Sequence, residues 1–149
     1  MGLRDDGDII RGLGYVALRA GYLEEGIDEC AEAFSLPPDK QPASKKARCC
    51  IELAKVLGVD IIADALSRSI ELLERRNEMI HGRFYAQDHG PDLRKSGRPG
   101  KLTVEVTSAE LYALADEILE TVNLLGHVAN SYIPDAIRNV QLKRIGDGP

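Results

Sequence analysis

Ile9, Leu13, Val16, Ala20, Leu23, Ile27, Cys30 and Phe34 follow one another at alternating intervals of four and three residues. That spacing puts apolar side chains on one face of a helix of about seven turns, roughly 40 Å long. Asp8 stands where a cap would start it, and Pro37-Pro38 where it must end. The interior glycines Gly12, Gly14, Gly21 and Gly26 weaken such a helix, unless another helix uses the missing side chains to pack close.

The pattern resumes after the prolines. Ser44 reads as the N-cap of a second helix reaching about Leu57, with Ala47, Cys50 or Ile51, Ala54 and Leu57 facing inward. Gly58 stops or kinks it, and Asp60 can restart a third helix that runs to His81. The third stripe is Leu66, Ile70, Leu73, Asn77 and Ile80, with Ile62, Ser69 and Arg76 on the neighbouring row. From residue 82 to residue 107 the helical period is lost. "HGPDLRKSGRPG" is rich in turn residues and reads as a loop. Leu102, Val104 and Val106 then alternate with polar residues, as in a half-buried strand, and the expected partner is "RFYA" before the loop. Thr107 and Glu110 have capping-box spacing and open a fourth helix. Its stripe is Leu111, Leu114, Ile118, Val122, Leu125, Ala129 and Tyr132. Pro134 is expected to end it, leaving a short tail helix at about residues 134–145.

Four amphipathic helices can cover each other's apolar faces, so the expected fold is all-α. It is a single domain over residues 1–149, with its core at about residues 8–132. The arrangement predicted is an up-down four-helix bundle with a short β-hairpin between helices 3 and 4. No run approaches the ~20 apolar residues of a membrane span, and the acidic start lacks the features of a signal peptide. The three cysteines Cys30, Cys49 and Cys50 form no C-x-x-C pair, which suits a reducing, cytoplasmic setting and buried thiols rather than a zinc site. His81, His89 and His127 have no ligand-like spacing, and no cofactor is called for.

The net charge of −5 argues against a broadly basic nucleic-acid binder. The charge is uneven, however. Residues 75–101 carry seven basic residues (Arg75, Arg76, Arg83, Arg94, Lys95, Arg98 and Lys101) and three acidic ones, a net of +4 that leaves −9 for the rest. A local basic segment attracts anions. Arg76 and Asn77 interrupt an apolar stripe just where that segment begins. A charged group facing a core is costly unless paired. The patch therefore either pairs within the bundle or faces a groove or a second subunit. Asn77 and His81 share a helix face, while Arg76 lies about 140° around from His81.

Arg76-Asn77-x-x-x-His81 at the end of a helix resembles the signature of the HEPN superfamily, in which Arg is followed, four to six residues later, by His. The likeness covers the motif and the helical order over about residues 8–132. It implies a four-helix bundle that dimerises through the motif helix. In active members it implies a metal-independent endoribonuclease with a site shared by two chains, as a toxin or defence component paired with an antitoxin. The Tyr that some members carry two residues after the His is replaced here by Arg83, the nearest tyrosine being Tyr85, which counts against an antitoxin of the modifying kind. The chemistry suits the residues. His81 can act as a base near neutral pH, Arg76 can stabilise a phosphorane, and Asn77 can orient either. Arg75, Arg83, Arg94, Lys95 and Arg98 are the candidate RNA contacts. Two plainer readings remain: a non-catalytic HEPN-like binding or regulatory bundle, or a helix end where Arg76 pairs with Glu71, Glu74 or Glu78 and His81-Gly82 merely stop the helix.

Overall fold

The computed structural model describes residues 7–85, 92–96 and 104–146. Its helices are α1 (Gly7–Ala33), α2 (Ala43–Leu57), α3 (Asp60–Ile80), α4 (Ser108–His127) and α5 (Ile133–Gly146). Between α3 and α4 lie three short strands, β1 (Gly82–Tyr85), β2 (Asp92–Ser96) and β3 (Val104–Val106). The molecule is a helical bundle, and no described helix is long and apolar enough to cross a membrane.

The α1 stripe forms as its spacing dictates. Ile9, Val16, Ala20, Leu23, Ile27 and Cys30 are buried, with Leu13 and Phe34 packed at the margin. Asp8 lies within the first turn. Two of the four glycines explain themselves. A Cβ on Gly12 would stand 2.9 Å from Leu111 Cβ, and one on Gly26 would stand 3.2 Å from Leu125 Cδ1. The missing side chains let α4 lie directly on α1. Both contacts join residues 99 positions apart, so the two helices run in the same direction. A simple up-down order would make neighbouring first and fourth helices antiparallel, so that part of the expectation is corrected. Three antiparallel strands, rather than the two of the expected hairpin, lie between α3 and α4. The third strand was missed inside the turn-rich segment: β2 pairs with both neighbours, and β3 pairs with β2 rather than with β1.

Helix ends differ from expectation in instructive ways. Ser44 falls inside α2, whose N-cap is Pro42 with no side-chain cap bond. Gly58 at φ 72° takes the left-handed conformation that closes α2, and its N–H reaches back to the carbonyls of Ala54 and Lys55. Thr107 and Glu110 form both bonds of the capping box that opens α4. Pro134 does not end the helical run. Residues Val128–Tyr132 form a π turn in which Ile133 N–H donates to Val128 O, and α5 follows without a break. In a regular α-helix a proline ring collides with the carbonyl four residues back; the wider turn just before Pro134 relieves that register. Ile133 and Ala136 are buried, so the core extends past residue 132, and from Arg138 onward α5 is exposed.

Candidate functional site

Helix α3 turns Ile62, Ala65, Leu66, Ser69, Leu72 and Leu73 into the core. Ser69 is tolerated there because its hydroxyl donates to Ala65 O at 2.8 Å. The buried row ends at Leu73. Ile70 and Ile80 are half-buried, and Asn77 is exposed, so the predicted stripe through Asn77 runs one row off the true core face. The last turn and a half of α3 thus has no fully buried residue, and Met79 packs at the margin of the core.

Arg76 is held across helices. Its Nη1 lies 3.1 Å from Glu24 Oε1 of α1, and its Nε donates to Asn77 Oδ1 at 2.8 Å. With its side chain 21% exposed, the guanidinium is anchored yet reachable. The acidic partner is Glu24, not Glu71, Glu74 or Glu78. No repeat along α3 could have revealed it, because it comes from a helix about fifty residues earlier. The charge is thereby met within one protomer, and the polar interruption does not by itself require a second subunit.

Arg76 and Asn77 line a cleft of about 300 Å³. Its other walls are Glu24 of α1, the start of α2 at Pro42, Ala43, Ser44 and Arg48, and Ile70, Leu73 and Glu74 of α3. Arg48 and Ser44 are site residues that the sequence reading missed, since nothing in their local pattern distinguishes them from a solvated helix face. The first turn of α2 carries no acidic residue, so nothing there offsets the positive end of its dipole.

His81 sits at the C-cap of α3, exposed, with φ −85° and ψ 94°, and its N–H donates to Asn77 O at 3.0 Å. The chain leaves the helix there and enters β1 at Gly82. Arg83 stands opposite Lys95 in the β1–β2 register, and Phe84 opposite Arg94. Three of the candidate RNA contacts thus belong to two paired strands that start one residue after His81. Arg98 lies outside the described residues. Arg75 is engaged elsewhere: it and Arg68 both donate to Glu117 Oε2 of α4, the Arg68 bond at 2.9 Å, clamping α3 to α4.

Among the described residues no group of His, Cys, Asp and Glu could hold a metal ion. No cysteine is among the residues that line the cleft. Burial pushes Cys30 up to about 12 and Cys50 up to about 11, while Cys49 is exposed.

In class this is a helical bundle with a polar cleft at the end of its third helix, followed one residue after His81 by a strand pair that carries Arg83, Arg94 and Lys95. Comparison with family models, with curated proteins and with solved structures returns no match.

Proposed function

We propose that the protein is a metal-independent endoribonuclease of the HEPN type. The observation that carries the reading is the end of α3, where a guanidinium bonded to an amide lines an open cleft and an exposed imidazole follows at the helix cap. In the proposed reaction His81 removes the proton from an RNA 2′-hydroxyl, whose oxygen attacks the adjacent phosphorus. Arg76, steadied by Asn77, exchanges Glu24 for the phosphate and stabilises the charge that develops on its oxygens. The P–O5′ bond breaks, leaving a 2′,3′-cyclic phosphate on one product. The 5′ oxygen takes a proton from a second acid, which the resemblance assigns to His81 of a second copy. Arg83, Arg94 and Lys95 bind the backbone of the RNA on either side.

A second reading is favoured by the Arg76–Glu24 ion pair itself: a non-catalytic bundle in which Arg76 ties α3 to α1. Incubating the purified protein with RNA in EDTA separates the two. The nuclease reading expects fragments ending in 2′,3′-cyclic phosphate without any added metal. Intact RNA, or cleavage that appears only with magnesium, would remove it.

A further inference from the structure

We infer that Arg48 is a second phosphate-binding residue of the cleft at the end of α3, holding the phosphate next to the one that Arg76 engages. The inference deepens the nuclease reading and takes from it the identity of the ligand, a single strand of RNA. Arg48 comes from α2. It stands one turn after Ser44 on the same helix face, and both line the cleft with Arg76 and Asn77.

Charge singles this residue out. Helices α1 to α4 carry six arginines, and Arg11, Arg19, Arg68, Arg75 and Arg76 each meet a carboxylate. Arg48 is exposed, and among the described residues it makes no hydrogen bond or ion pair. Two cations, Arg48 and Arg76, line the cleft with two carboxylates, Glu24 and Glu74. Arg76 already has Glu24 at 3.1 Å, so a phosphate reaching it must displace that carboxylate. Arg48 takes a phosphate without displacing any described partner. Were Arg48 absent, the cleft would set one cation against two carboxylates and would repel a phosphate.

Helix geometry says which phosphate Arg48 meets. The start of α2 and the end of α3 line one cleft, so these two helices run antiparallel from the turn between them. Counted from Val59 in that turn, Arg48 lies eleven residues back and Arg76 seventeen residues on. The difference of six residues is about 9 Å of helix rise. Asn77 Oδ1 holds Arg76 Nε at 2.8 Å, which keeps that guanidinium from swinging across to Arg48. The two arginines therefore meet neighbouring phosphates of one strand rather than the same phosphate. Arg48 binds the strand equally before and during reaction, whereas Arg76 acts on the charge that develops.

The test is binding of a single-stranded 2′-O-methyl oligonucleotide, which lacks the attacking hydroxyl and cannot be cut. In Arg48→Ala the slope of log affinity against log salt should flatten by about 0.7, the value for one phosphate of a single strand, and binding should weaken about tenfold. Arg48→Lys keeps the charge and should keep the parent slope. Lys55→Ala should keep it too, because Lys55 lies in the last turn of α2, beside Glu52 at 3.6 Å. Arg48→Ala should melt with the parent. In single-turnover cleavage it should need about tenfold more RNA to saturate, then cut at the parent rate. An unchanged slope in Arg48→Ala, or an equal fall in Lys55→Ala, would overturn the inference. So would a saturated rate as low as that of Arg76→Ala, which would put Arg48 on the reacting phosphate. An Arg48-dependent slope in a protein that cuts no RNA would uphold the phosphate site and remove the nuclease reading alone.

Discussion

At the scale of single residues, Arg76 decides how the motif is understood. Its ion pair with Glu24 is partly exposed, and such pairs contribute only about 0–1 kcal/mol, so an incoming phosphate can displace the carboxylate. Glu24→Gln should therefore leave the melting temperature within a few degrees of the parent and tighten RNA binding in a filter-binding titration. Weaker binding would show that Glu24 positions Arg76 rather than competing for it. The glycines give an independent check on packing. Gly12→Ala drives a methyl into Leu111 and should cost about 1–3 kcal/mol. Gly126→Ala meets nothing within 4 Å among the described residues and should gain up to ~1 kcal/mol of helix stability, both read by denaturant unfolding. The thiols make a third. Native protein should react with a thiol reagent at Cys49 alone. Because Cys30 and Cys50 hold their protons far above the ordinary value of 9.0, the unfolded chain ionises first. Their contribution to stability is complete below pH 9 and should fall as pH rises from about 9 through 11 and 12. A melting temperature that stays flat or rises across that range would show these sites to be solvated.

At the scale of elements, what could be read in the chain followed the periodicity. The α1 stripe, the capping box at Thr107 and the stop at Gly58 are local signals, each enforced by covalent geometry or by hydrogen bonds a few residues long. Thr107→Ala removes the hydroxyl that accepts from Glu110 N–H at 3.1 Å and should cost about 1 kcal/mol, while Thr107→Ser should stay close to the parent. What could not be read depended on partners distant in the chain. Strand β2, "DLRKS", shows little of the apolar alternation that marks a strand, and it is a strand because both of its edges are hydrogen-bonded to neighbours. The π turn before Pro134 leaves no compositional trace either, and a proline rule applied locally stops the helix too soon. At the motif, the residue types and the helix end were legible. Glu24 and the α2 wall of the cleft were not, because helices far apart in sequence bring them there.

At the scale of the whole molecule, α1 is the central element. It lies along α4 through Gly12 and Gly26, holds Arg76 through Glu24, and reaches Asp116 through Arg19 at 3.0 Å. The stripe of α1 that faces the core explains the fold. Strand β1 begins one residue after His81, so RNA bound along β1 and β2 as proposed would start within a few residues of the motif. The most direct test is the single-turnover rate of RNA cleavage in EDTA by the parent, His81→Ala and Arg76→Ala, with a thermal melt of each. The proposal predicts cleavage by the parent, none above background by His81→Ala, and a loss of about a hundredfold, or ~3 kcal/mol, in Arg76→Ala, with all three proteins folded. Cleavage that survives both substitutions, or a folded parent that cuts no RNA while Arg76→Ala is merely less stable, would contradict it.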